Sequence, residues 1–412
     1  MNMEEKVVIF VQSGGGKSVK TIPLQLAKDM GYKVAIAEKN FKNEYGLADY
    51  SISVDTENID LLITEVVDFS TKHNVIGILT FTEFAVEQTA LLAQILGLPG
   101  LSVKAARIAR NKYLTRVLLE KHGIEQNKFM CTNDLYGSKE KIEKEIGYPV
   151  IIKPLKFAGS CAVTKVESPE EFESFVNKVK ADRKLAPMNV WSEDNLSELW
   201  LCEEYLEGYE ISVECIVDRE KKYIAAIHDK MAPMKQPPFL EEYFVTPSPR
   251  ITAELEEQII NMTGNILDCM DYDFGLAHVE FRITEDGPRL IEVNARLGGI
   301  LVGKSVENST GVNMFESLIK LATGQEVSVS VNTRVPTAFG VVYARAGVVA
   351  GVEGMEEVEK MQGIKLLEQW IKPGDTVIAT EVGYGTVVLA EAESSEKAYE
   401  IVDSAIKSIR YY

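Results

Sequence analysis

Two alternating strands, Ala277–Ile283 and Arg289–Arg296, joined through Asp286-Gly287, read as a β-hairpin that sets two acids face to face. If the loop centres on Asp286, Glu280 and Glu292 are cross-strand partners. Asn294 then shares their face two residues along, and Arg296 two beyond that. Like charges directly opposite each other destabilise a sheet, so a purely structural hairpin would avoid this pair. A hard divalent cation removes the repulsion. Two carboxylates and an amide oxygen suit Mg²⁺ (or Mn²⁺), which keeps part of its shell free for substrate phosphates. Arg296 would then stabilise charge on a phosphoryl group in transfer. The plainer alternative is a solvated hairpin face with incidental acids. The run Glu-x-Asn-x-Arg leading to Gly298-Gly299 favours the metal site over it.

The strands before this hairpin suggest what carries it. Val7–Gln12, Lys33–Glu38, Tyr50–Val54 and Val75–Thr80 are short apolar strands separated by helical stretches near 22–30, 61–73 and up to Gly97. That alternation predicts a parallel, Rossmann-type sheet covered on both faces. The loop Ser13-Gly14-Gly15-Gly16-Lys17-Ser18 resembles a phosphate loop only superficially. A P-loop needs glycine where Val11 stands, and a dinucleotide loop needs glycine where Val19 stands. A nicotinamide-linked dehydrogenase is therefore not indicated.

From Ser102 a helical stretch contains Asn111-Lys112-Tyr113 and stops at Gly123. A strand over 147–154 ends in Lys153-Pro154, beside the small-residue loop Lys156–Ser160, whose backbone N–H groups could fold over phosphates. A helix over 169–180, a mobile polar loop over 187–197, and strands over 199–206 and 209–217 follow. The segment Lys230–Arg250 is rich in proline and reads as one long substrate-binding loop. A helix over 252–270 leads into the hairpin, a glycine loop over 298–303 leaves it, and a helix over 313–322 follows. Strands over 337–345, 376–380 and 385–391 and a helix over 395–409 suggest a separate C-terminal subdomain.

Charge and cysteine usage narrow the class. A formal net charge of −18 argues against a nucleic-acid partner, and the 5 cysteines show no Cys-x-x-Cys spacing. With no long apolar span or signal-like start, the expectation is a cytoplasmic protein with reduced thiols and no membrane partner.

Taken in order, these motifs resemble the ATP-grasp superfamily over essentially the whole chain, and most of all the dipeptide-forming L-amino acid ligase group. The resemblance implies an α/β (α+β) ATP-grasp fold. It comprises a Rossmann-like pre-ATP-grasp domain (1–101), a two-lobed grasp domain (102–328, with a mobile lid near 138–204) and a β-rich C-terminal extension (329–412). It also implies ATP and Mg²⁺ as cofactors, with two co-substrates: a small-molecule carboxylate, itself an amino acid, and an amine. A homodimer is the usual assembly.

Roles follow residue by residue. Lys112 and Lys153 would reach the phosphates, with Gly159 and Ser160 at the lid tip. In Glu203-Glu204-Tyr205-Leu206, the Glu204 carbonyl and Leu206 N–H would read the adenine edge, with the Glu203 side chain near its amino group. Glu210 would bind the ribose, and Glu280, Glu292 and Asn294 the metal. Arg296 would hold the transferred phosphoryl group. His228, Lys230, Gly298, Gly299 and Ile300 are candidate substrate contacts, whereas His278 is a neighbour or core histidine. The implied reaction phosphorylates a carboxylate to an acyl-phosphate that an amine displaces, releasing ADP and phosphate. A carboxylase or purine-pathway ligase using bicarbonate or formate, and a non-catalytic ATP-binding regulator, remain open alternatives.

Overall fold

In the computed structural model, residues 5–14, 16–155, 163–181, 199–231, 240–378 and 382–412 are described. The apolar N-terminal runs become β1 (Lys6–Val11), β2 (Lys33–Ala37), β3 (Tyr50–Ile52) and β4 (Asn74–Leu79), all parallel in the order β3-β2-β1-β4. Successive β1 side chains go to opposite layers, as strand geometry requires. Ile9 and Val11 join Leu62, Val66 and Leu92, while Val8 and Phe10 meet Leu24, Leu318 and Ile319. That second layer fixes the N-terminal unit against the helix Met314–Ala322, and so against the unit that carries the hairpin.

A small antiparallel sheet follows: β5 (Phe129–Thr132), β6 (Val150–Pro154), β7 (Thr164–Val166) and β8 (Trp200–Glu204), ordered β5-β8-β6-β7. Ile142 and Phe172, from the helices Lys139–Glu145 and Pro169–Ala181, fill the core against Val150, Ile152 and Cys202. The expected lid-tip loop, with Gly159 and Ser160, and the polar loop over 187–197 lie outside the described residues.

The large sheet contains β9 (Tyr209–Asp218), β10 (Lys221–Asp229), β11 (Tyr243–Thr246), β12 (Phe274–Thr284), β13 (Gly287–Asn294) and β14 (Thr337–Tyr343). Its order is β13-β12-β9-β10-β11-β14, completed by Tyr384–Glu391 and Ile364–Gln369. The helix Ala253–Cys269 covers one face through Ile259, Ile266 and Leu267. Three features differ from expectation. β11 lies inside the proline-rich segment, so that segment is not one loop. The stretch at Gly303 is helical (Val302–Thr310), its glycine admitting close packing: a Cβ there would stand 2.7 Å from Leu297 Cδ2. Of the C-terminal strands, Tyr384–Glu391 and Ile364–Gln369 extend the central sheet beyond β14, while Thr376–Val377 pairs with Gly347–Val348 in a small sheet of its own. No helix among the described residues is long and apolar enough to cross a membrane.

Candidate active site

Glu280 pairs with Glu292, and His278 with Asn294, as the hairpin's numbering suggests. The route to that register differs. The turn spans only Glu285 and Asp286, and the outer pairs run from Thr284↔Gly287 to Phe281↔Leu290. The register then shifts between Glu280 and Phe281, with Ile291 as the extra residue, a β-bulge that returns Glu292 to the Glu280 face.

Both facing acids sit in a positive field. Glu292 Oε1 is 2.9 Å from Lys112 Nζ. Glu280 Oε2 is 2.8 Å from Lys230 Nζ, and its Oε1 is 3.3 Å from both His278 Nε2 and Asn294 Nδ2. Burial would raise the Glu280 pKa, but Lys230 and His278 hold it well below the usual carboxylate range. Lys230 also pairs with Glu241 and lies 3.4 Å from Glu210 Oε2; oxygens of Glu210, Glu241 and Glu280 lie within 4.8 Å of one another. Burial would lower the Lys230 pKa, but Glu241, Glu280 and Glu210 raise it well above normal. Glu280, Glu292 and Asn294 offer a hard, all-oxygen donor set on one face, and these residues fit Mg²⁺ or Mn²⁺.

His278 is a neighbour of the site. Its Nδ1 is 2.6 Å from Glu214, which is fully buried; burial would lower the imidazole pKa, yet Glu214 and Glu280 raise it to about 10. Gly298 lies against this ring, a Cβ there standing 2.7 Å from His278 Nδ1.

Lys153 ends β6 and is 6% exposed, so the strand reading placed this charge inside the protein. It pairs with Glu203 on the neighbouring β8, a diagonal contact, since Glu203 stands opposite Ile151. Glu203 also accepts from Arg116 Nε at 2.5 Å. Burial would raise the Glu203 pKa; Arg116 and Lys153 override it and hold the carboxyl at about 2. The Glu203 side chain is thus held between two cations at the cleft wall. Glu204, Tyr205 and Leu206 continue along the same cleft wall. Lys165 Nζ lies 4.0 Å from the centre of the Tyr205 ring. Glu210 accepts from Arg282 Nη2 at 2.5 Å.

Arg296 is held from the N-terminal unit. Its Nε is 2.7 Å from Glu83 Oε2, in the short turn after β4, and Glu83 Oε1 accepts from Arg110 Nη1 at 2.5 Å. Sequence reasoning missed Glu83, Arg116 and Glu241, because no local pattern marks a lone charge whose partner is far along the chain.

One cleft is lined by Lys112, Lys153, Glu203, Glu204, Tyr205, Leu206, Glu210, Glu280, Glu292, Asn294, Arg296, Gly299 and Ile300. His228 is not among them. It is fully buried, with Nε2 3.0 Å from Ser305 Oγ and its ring edge-on to Phe244 and Phe339, the surroundings of a core histidine. Lys230, 3% exposed, stands behind the acids it pairs with.

Comparison with known proteins adds identity to this geometry. Residues 20–100 match the ATP-grasp N-terminal domain, 146–304 the ATP-grasp domain and 341–412 the L-amino acid ligase C-terminal domain 2. Alanine–anticapsin ligase of Bacillus subtilis is 27% identical over 279 residues, 64% of this chain and 58% of that protein. Human carnosine synthase 1 is 26% identical over 338 residues, 78% of this chain and 40% of that one. The chain therefore spans well under two thirds of either relative. The crystal structure of an L-amino acid ligase from Bacillus licheniformis has the same fold, with a TM-score of 0.83 at 21% identity, covering 99% of this chain and 98% of that one. With those three matches in chain order, the protein carries ATP-grasp domains followed by an L-amino acid ligase C-terminal domain.

Proposed function

We propose that this protein is an ATP-dependent carboxylate–amine ligase that joins an amino acid to an amine, forming a dipeptide or similar amide. One observation supports it above the others: the lysines Lys112 and Lys153, the oxygen donors Glu280, Glu292 and Asn294, and Arg296 line a single cleft. That is the equipment of phosphoryl transfer, in which positioning and charge stabilisation replace covalent catalysis. Glu280, Glu292 and Asn294 would hold Mg²⁺, which would supply neutralisation of the phosphate charge. Lys112 and Lys153 bind phosphate oxygens, and the strand edge at Glu204–Leu206 holds the base. Arg296, steadied by Glu83, stabilises the phosphoryl group as the substrate carboxylate attacks the γ-phosphorus and ADP leaves. The amine then attacks the acyl carbon, the C–N bond forms as the C–O bond to phosphate breaks, and phosphate and the amine's proton are released. Cys131, Cys202, Cys215 and Cys269 are free thiols, which supports a cytoplasmic setting.

The test is incubation with ATP, Mg²⁺ and amino acids singly and in pairs, with bicarbonate as a separate arm, reading phosphate release and product mass. ADP, phosphate and a product of the two masses less one water are expected with a pair. Phosphate release with bicarbonate alone would replace this reading by a carboxylase. ADP formation that no substrate stimulates would leave a non-catalytic ATP binder.

A further inference from the structure

The register of the hairpin depends on a bulge, and the bulge has a clamp. If the outer pairing from Thr284↔Gly287 to Phe281↔Leu290 continued without a break, Ile291 would oppose Glu280 and Glu292 would oppose Val279. Val279 is fully buried in the apolar core, so Glu292 would leave the cleft, and Asn294 would turn away with it. Only the extra residue Ile291 keeps both on the Glu280 face.

β13 is the edge strand of its sheet, so carbonyls on its outer side have no neighbouring strand to bond. Two of them, Leu290 O and Ile291 O at the bulge itself, accept from Arg116 Nη1 at 2.8 Å and Nη2 at 2.9 Å. The third donor of the same guanidinium, Nε, goes to Glu203, the partner of Lys153. Arg116 is 2% exposed and lies one helical turn after Lys112, whose ammonium meets the Glu292 carboxylate. One helix face therefore grips Glu292 twice, by its side chain and by the backbone that aims it.

We infer that Arg116 is a positioning residue for the metal ligands: it fixes the β13 bulge that turns Glu292 into the cleft and ties that bulge to the Lys153–Glu203 pair of the nucleotide wall. The inference rests on the ligase reading above for the identity of the ligands. A planar guanidinium is needed because three acceptors are held in one fork; a lysine keeps the charge but is a single point donor.

The experiment compares wild-type protein with Arg116→Lys, in the full chain, by three measurements. These are Mn²⁺ binding followed by electron paramagnetic resonance with saturating ADP, ADP affinity without metal, and the melting temperature. The lysine variant is expected to fold and to bind metal-free ADP within about 3-fold of wild type, while its Mn²⁺ affinity drops about 10- to 100-fold, the range for residues that orient metal ligands. Mn²⁺ affinity within about 2-fold of wild type would overturn the inference, and so would equal losses of metal and metal-free nucleotide binding. If the lysine variant does not fold, Arg116→Gln is read by the same criteria. Wild-type protein that binds ADP but no Mn²⁺ would bring down the metal site itself, a separate failure recognisable without any variant.

Discussion

Glu83 and Arg296 meet across two units of the chain, Oε2 of the one 2.7 Å from Nε of the other. Glu83 is 5% exposed and shared with Arg110. Burial would raise its pKa, but the two guanidinium groups hold it below the normal carboxylate value. The charge that meets Arg296 is thus contributed by the short turn after β4, not by the hairpin that bears the arginine.

Removing that charge should loosen Arg296 without touching the nucleotide wall. Glu83→Gln is expected to lower substrate-stimulated phosphate release roughly 10- to 100-fold with little change in the KM for ATP, because small misplacements of a positioning group are costly. Arg296→Ala should abolish product formation while ADP still binds. A Glu83→Gln enzyme with undiminished kcat would make the contact merely structural.

The facing acids carry the second expectation. Glu292→Gln removes the carboxylate that meets Lys112 and, on the proposed ligase reading, one charge of the metal site, so metal-dependent turnover should drop by about two orders of magnitude or more. Mn²⁺ titration monitors the same loss directly. Unchanged dependence on metal concentration would argue that the acids only neutralise Lys112 and Lys230.

The pH dependence of stability should carry the mark of Glu203. Its carboxyl is held at about 2, against 4.5 for the free group, so the folded state favours the charged form. The stability this gives is complete above pH 4.5 and is lost as pH falls through about 2, since protonation then removes the partner of Lys153 and Arg116. Glu203→Gln should be less stable at neutral pH by about 3–5 kcal/mol, the cost of stranding buried cations, and should show a shallower acid limb in urea melts. Parallel acid limbs for the two proteins would contradict the assignment.

Gly298 offers a fourth test. Its Cβ would stand 2.7 Å from His278 Nδ1 and 2.8 Å from Val302 Cγ1. Gly298→Ala should therefore push the imidazole off Glu280, lowering both the melting temperature and Mn²⁺ affinity. Overpacking of this kind typically costs about 1–3 kcal/mol. A variant with wild-type melting and metal binding would show that the ring gives way freely.

Local pattern carried much of this protein. The parallel N-terminal sheet follows from short apolar strands between helices, and Lys153 stood out because a charge closing a buried strand needs a partner. The Glu280–Glu292 pair was legible too, though for an incomplete reason. The turn is tighter than a loop centred on Asp286, and the bulge at Ile291 compensates; Leu290-Ile291 carries no sign of it, reading as ordinary strand. Glu83 and Arg116 were invisible because their partners lie far off, Arg116 being 87 and 174 positions from Glu203 and Leu290. β11 could have been found: Tyr243-Phe244-Val245-Thr246 is an aromatic and β-branched run, masked by the prolines around it. Finding it would also have moved His228 inward, since Phe244 packs against that ring.

The way β11 is held has a consequence for biosynthesis. Among the described residues its ladder to β10 contains one residue pair, Asp229↔Val245, whereas its ladder to β14 contains four. During translation, the middle of the molecule must therefore wait for residues beyond Val335 to emerge before Tyr243–Thr246 is secured on both sides. A ribosome stalled earlier would release a polypeptide with a sticky, half-finished border, the sort of intermediate that chaperones capture.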